Sequence, residues 1–180
     1  MKRYGFFIWG DFLKKLFVII STVTIFSCGY VLHMSYSLSG AAAWSLIVSS
    51  VNSSPWELVK PFVIVYIMWC FVEMSVLRPS LLHFVCTKIL SLHMFTIAST
   101  SILCFIQDEM VSIGLIFLIL FIAQVLAYFM YRSECRYELF FVPIMVSFAV
   151  LFACILFCSF YPPQFLHFYD KGRMTYGLLL

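Results

Sequence analysis

Residues 110–131 read MVSIGLIFLILFIAQVLAYFMY, a run without a charged side chain in which Gln124 is the one strongly polar residue. It matches the roughly 20 residues that an α-helix needs to cross a bilayer core. Apolarity is continuous from Ile113 to Val125. A barrel strand would instead alternate lipid-facing and lumen-facing residues over about 10 positions. The run therefore reads as a transmembrane helix.

Four further runs of this kind flank it. Upstream, residues 81–105 carry His83, Lys88 and His93 and close at Gln107-Asp108-Glu109. Before them, residues 57–77 contain Pro61 and Glu73. The turn Arg78-Pro79-Ser80 separates the two, and 57–105 is also too long for one crossing. The first run, 15–36, follows Lys14-Lys15. It continues uncharged past any compact signal-peptide core, without a clear cleavage site, and so reads as an uncleaved first span. Downstream of the loop Arg132–Arg136, residues 138–160 form the last run, stopped by Pro162-Pro163. Five spans fit best, with four or six as alternatives.

Composition agrees. Of 180 residues, 64% are hydrophobic and 11% charged, and the mean hydropathy is +1.05. A soluble domain is about 45–50% apolar and about 25% charged. Eleven basic and 8 acidic residues are too few to cover a water-exposed surface of this size. Disorder needs the opposite composition. The basic residues are scattered rather than gathered into a stripe, so the net charge of +3 gives no reason to expect nucleic acid as a partner. Most of the seven cysteines lie in apolar runs without C-x-x-C spacing and read as small buried or lipid-facing hydrophobes.

Basic residues set an orientation. With the N-terminus inside, Lys2, Arg3, Lys14, Lys15, Arg78, Lys88, Arg132 and Arg136 fall on or near the cytoplasmic side. Only Lys60, Lys171 and Arg173 fall outside. The positive-inside rule then predicts a cytoplasmic N-terminus and an extracytoplasmic C-terminus. No convincing internal repeat is present, which argues against a two-repeat transporter.

The stretch from Ser37 to Pro55 has a different texture, rich in Ser, Gly and Ala around Trp44. It is expected to form a short helix within Ala41–Ser49, interfacial or re-entrant, and then a turn at Asn52-Ser53-Ser54-Pro55. Ser53 or Ser54 is placed to cap the following helix, with Glu57 at its positive end.

Intramembrane ionisable groups are the first functional candidates, because charge in hydrocarbon is costly. Glu73 is the strongest, expected near Arg78 or Lys88 either as a paired structural carboxylate or as a proton- or ligand-handling group. His93 is expected to pack, or to hydrogen-bond Gln124; His83 shows no obvious partner. A second group comprises His33 and Tyr36, three apart at the end of the first span, with Asn52, Trp56, Glu57 and Lys60. With Asp170 and Tyr176 from the tail they form a candidate outward-facing polar patch, read either as loop fixation and capping or as a pocket. Glu57 and Glu73 are about 24 Å and about 160° apart on a regular helix, so they do not form an acid–base pair. Metalloprotease, dinucleotide, P-loop and nucleophile-elbow motifs are all lacking in the sequence. Cys154 and Cys158 are helical neighbours without a His or Asp beside them. No metal or cofactor is expected.

Two segments carry a resemblance. Gly29-x-x-Leu32-His33-x-x-Tyr36 is followed by Ser39-Gly40, and Val51-Asn52-x-Ser54-x-Trp56-Glu57-x-x-Lys60 precedes the second span. They resemble a family of small multi-span integral membrane proteins found in bacteria, mainly Gram-positive, that has no established biochemical function. In that family the second motif runs Asn-Glu-Ser-x-Trp-Glu-His-x-Lys; here Ser53 and Leu58 replace the acidic residue and the His. These departures weaken any metal or acid–base role for the motif. Glu73 matches an acidic position in the following span, and Phe168, Asp170, Gly172, Tyr176 and Gly177 resemble the family's C-terminal signature. The resemblance implies a shared architecture in a bacterial cell membrane and supplies no reaction.

The sequence thus predicts an all-α membrane protein: one domain over residues 1–180, a bundle of five transmembrane helices with a short helix between spans one and two. The leading functional class is non-enzymatic, a transport-accessory, sensing or scaffold role, with the lipid bilayer and a homo-oligomeric or membrane-protein partner as its contacts. The alternatives are an intramembrane enzyme acting on a lipid or lipid-linked substrate through His33, Glu57, Lys60 and Asp170, and a small proton-coupled carrier built on Glu73 and His93.

Overall fold

The computed structural model describes residues 3–39, 45–77, 79–106, 108–133, 137–161, 163–170 and 175–176, with the side chains of 3–14, 45, 46, 138, 160, 175 and 176 outside that description. The chain is a helical bundle. In order come α1 (Arg3–Leu38), α2 (Ser45–Val48), α3 (Pro55–Leu77), α4 (Leu81–Leu103), α5 (Glu109–Arg132) and α6 (Phe141–Phe160). Among the described residues, five helices are long and apolar enough to cross a membrane, all but α2. This is the all-α architecture expected of a multi-pass membrane protein. Short 3-10 turns at Tyr137–Phe140 and Leu166–Phe168 flank α6, and Tyr169–Asp170 pairs with Thr175–Tyr176 as a two-residue antiparallel bridge.

Helix boundaries follow from local chemistry. α1 starts well before the expected span because no proline interrupts residues 3–38; Lys14-Lys15 marks a change of polarity rather than a helix end. α2 is confined to four residues, and Gly40–Trp44, the small-residue stretch before it, lies outside the described residues. Asn52 Oδ1 accepts the Ser54 amide at 3.0 Å, the turn expected there. Ser54 then caps α3: its Oγ accepts the Glu57 amide at 3.4 Å, and its carbonyl accepts the Leu58 amide at 3.0 Å. Asp108 caps α5 by accepting the Val111 amide at 2.9 Å.

Pro61 lies inside α3 and has no N–H to give the Glu57 carbonyl one turn earlier. In a bilayer an orphaned carbonyl is costly. Ser50 supplies the missing donor, its hydroxyl reaching the Glu57 carbonyl at 2.6 Å.

α3 and α4 form the centre. α1 packs on α3 and α5, α5 packs on α4, and α6 lies against α4 as the most lipid-exposed span. The core holds Ile25, Phe62, Tyr66, Phe95, Ile116 and Leu120, each essentially inaccessible. Large apolar side chains such as Ile19, Met68, Ile97 and Val150 face outward. In water this would be an aggregation surface; in hydrocarbon it is the ordinary exterior of a bundle. A hydrogen-bond ladder crosses the core, Tyr66 Oη donating to Ser91 Oγ at 3.1 Å and Ser91 Oγ to the Ala123 carbonyl at 2.5 Å. The six described cysteines are free.

Gly29 permits the α1–α3 contact. A Cβ built there would run into the ring of Phe62, which is itself 1% exposed. Small residues at such crossings let helices approach closely in membranes. Gly29→Ala is expected to lower stability by about 1–3 kcal/mol through overpacking, read as a reduced thermal midpoint in detergent; an unchanged midpoint would mean that the ring moves aside freely.

Candidate functional site

Polar side chains gather at two places, one at each end of α3. The first is built where α1 ends, the 49–54 loop turns and α3 begins. Glu57 is in the first turn of α3 and Lys60 lies three residues on, so the helix places them on one face. Lys60 Nζ donates to Glu57 Oε2 at 2.8 Å. The Val51 amide donates to the same oxygen at 3.1 Å, and Lys60 Nζ reaches Ser159 Oγ of α6 at 3.1 Å. Glu57 is 5% and Lys60 1% exposed. The ion pair is thus enclosed, with partners from the loop and from α6.

His33 extends this cluster. Its Nδ1 lies 2.7 Å from Ser50 Oγ and its Nε2 3.3 Å from Glu109 Oε1 at the start of α5. Tyr36 enters through its backbone amide, which donates to Ser49 Oγ at 3.0 Å; Ser49 Oγ also donates to the Leu32 carbonyl at 2.6 Å. Asp170, 1% exposed, accepts the Ser53 amide at 3.4 Å, and Phe168 packs on Trp56 with ring centroids 5.5 Å apart. Trp56 Nε1 is buried and has no hydrogen-bond partner among the described residues.

His33, Asn52, Trp56, Glu57, Lys60 and Asp170 are therefore brought together, but not as an outward-facing patch. Their polar atoms are mostly spent on one another and on the loop backbone. The side chain of Tyr176 lies outside the described residues; its backbone pairs with Tyr169.

The second cluster centres on Glu73, which is 2% exposed. Lys88 Nζ of α4 lies 2.5 Å from Glu73 Oε2 and donates to Gln124 Oε1 of α5 at 2.8 Å. On the other side, Ser21 of α1 donates to Glu73 Oε1, and Trp69 Nε1 reaches that oxygen at 3.1 Å and Ser21 Oγ at 2.8 Å. Three helices, α1, α3 and α4, thus meet at one carboxylate, and α5 joins them through Lys88. Lys88 also lies over the rings of Tyr66 and Phe84, at 5.7 and 5.8 Å, a favourable position for a desolvated cation. Gln124 Nε2 has no hydrogen-bond partner among the described residues. Arg78, the other cation expected near Glu73, lies outside the described residues.

Two expectations are corrected. His93 does not bond Gln124. Its Nδ1 lies 2.8 Å from the Ile89 carbonyl one turn back, and its Nε2 3.3 Å from the Ser147 carbonyl of α6. The amide oxygen is taken by Lys88, whose charge strengthens the bond. His83 does have partners: its Nε2 lies 3.1 Å from the Tyr131 carbonyl, and its ring packs against Tyr131 and Tyr137.

Ser21, Ser49, Ser50 and Ser159 were not singled out from the sequence. A serine in an apolar run is too common to mark a site. The one visible signal is Trp69 four residues before Glu73, which places an N–H donor on the carboxylate's own face. Among the described residues, no three His, Cys, Asp or Glu side chains gather as a metal site would need. No protein-family model, curated protein or solved structure matches the chain.

Lys60→Met leaves Glu57 enclosed without its cation. The expected loss is about 3–5 kcal/mol, read as a fall in the thermal midpoint of the purified protein. Glu57→Leu combined with Lys60→Met should recover most of it. A double variant as unstable as Lys60→Met would contradict this explanation.

Proposed function

We propose that the chain is a non-enzymatic multi-pass protein of the bacterial cell membrane, with a transport-accessory, sensing or scaffold role. The observation that carries this reading is the enclosure of the Glu57–Lys60 pair. A catalytic acid, base or nucleophile must face its substrate within about 2.6–3.2 Å, directly or through a water. Glu57 instead faces Lys60 and the Val51 amide, and Lys60 faces Ser159. The cluster acts as a clamp that fastens the 49–54 loop and the tail onto α1, α3 and α6. The carrier reading finds little support: Glu73 and His93 have separate sets of partners.

The N-terminus is placed in the cytoplasm and the C-terminus outside. Eight of the 11 basic residues then lie at or near the inner face. The clamp falls at the outer face and the Glu73–Lys88 pair toward the inner one. The segment around α2 then lies at the outer surface, interfacial or re-entrant.

One experiment tests the central reading. Wild-type protein and Glu57→Gln protein, both in nanodiscs, are incubated with a bacterial lipid extract that is then profiled by mass spectrometry. The two profiles are expected to be identical. A species consumed by the wild type and spared by the variant would establish the enzyme reading instead. For orientation, an alkaline phosphatase fused to the C-terminus is expected to be active; a bright fluorescent protein at that position and an inactive phosphatase would reverse the topology.

A further inference from the structure

Lys88 and Phe84 stand in the wall shared by two cavities. One, of about 60 Å³, has Glu73, Lys88 and Gln124 in its lining among apolar side chains such as Phe17, Val18 and Leu77. The other, of about 340 Å³, is walled by apolar side chains of α3, α4 and α6, among them Tyr66, Cys70, Met74, Val85 and Met145. It opens sideways toward the membrane, where Phe71 and Leu81 are exposed. We propose that the two cavities form one binding site for a single-chain amphiphile whose head is uncharged and offers a hydrogen-bond acceptor, the chemistry of a long-chain alcohol or a monoacylglycerol. The proposal deepens the non-catalytic reading above and rests on it.

Three observations select that ligand. The first is Gln124, a residue 1% exposed in the lining of the smaller cavity, whose amide Nε2 has no hydrogen-bond partner among the described residues. An unmade hydrogen bond there is costly, and an acceptor atom on a ligand would satisfy it. The second is charge. Glu73 is balanced by Lys88 at 2.5 Å, so an anionic head would leave a net buried charge, while an uncharged head would not. The third is shape. Met74 and Tyr66, eight residues apart on α3, span about 12 Å of the apolar wall at 1.5 Å per residue, suited to one chain lying along the helix.

The test uses the full-length protein in phosphatidylcholine nanodiscs and a 12-carbon alcohol carrying a photoreactive diazirine in its chain. After irradiation, peptide mass spectrometry is expected to place adducts at Cys70, Met74 and Met145. Excess dodecanol should reduce this labelling at least fivefold, and dodecane or dodecanoate should not. Met145→Trp, which fills the cavity, should reduce it about tenfold; Met74→Trp at the open side serves where the first variant does not fold. Gln124→Leu should weaken protection by dodecanol about fivefold, the worth of one hydrogen bond. Adducts spread over lipid-facing positions such as Ile97 and Val150, or labelling unchanged by both tryptophan variants, would overturn the site. Dodecanoate competing as well as dodecanol would overturn the uncharged head. A chemically altered probe would refute the non-catalytic reading, while the adduct positions alone decide the binding site.

Discussion

A carboxylate inside hydrocarbon needs a cation of its own, and this chain meets that demand twice along one helix. At Glu57 the cation comes from the same helix face, Lys60 three residues on. At Glu73 it comes from the next helix, Lys88 of α4. The difference has structural consequences. A local pair can form as soon as α3 forms. The distant pair forms only when α3 and α4 have the right register, with Ser21 of α1 and Gln124 of α5 completing the shell. Lipid tails are as apolar as leucine, so burial of apolar surface does little to choose among helix arrangements. Polar contacts and close packing choose instead, and the Glu73–Lys88 pair is where four helices meet.

The same scarcity of water governs the backbone. Pro61 would orphan the Glu57 carbonyl, and Ser50 answers it. The same hydroxyl lies 2.7 Å from His33 Nδ1. The carboxylate of Glu57 meanwhile takes the Val51 amide. Loop, helix start and ion pair therefore depend on one another, and Asp170 adds the tail through the Ser53 amide. Residues that looked like an open polar surface in the sequence are fasteners, because at the rim of a membrane an irregular loop must have its polar groups satisfied by protein.

The helices were legible because their signal is long and one-dimensional: about 20 apolar residues ended by Pro, Gly or charge. The Glu73–Lys88 partnership was legible as one of two choices, since cations within reach of that depth are few. Convergence of His33, Asn52, Glu57 and Asp170 was also in view. What the sequence could not give is enclosure. Whether the Glu57–Lys60 pair faces a pocket or Val51 and Ser159 depends on how α6 and the loop cross α3, and no spacing rule encodes a crossing. The partners of His93 and Gln124 were misjudged for a related reason: three candidates faced one interior, and the strongest donor–acceptor match, Lys88 with Gln124, took precedence.

Most of the structure rests on the bond between Glu73 and Lys88, and a double-mutant cycle measures it. Stability in lipid is read for wild type, Glu73→Gln, Lys88→Met and the double variant. If the pair organises the bundle, each single change is costly and the second costs little once the first is made, with a coupling of about 2 kcal/mol or more. Losses that add to within about 0.5 kcal/mol would contradict that role and leave the two residues as independent occupants of the core.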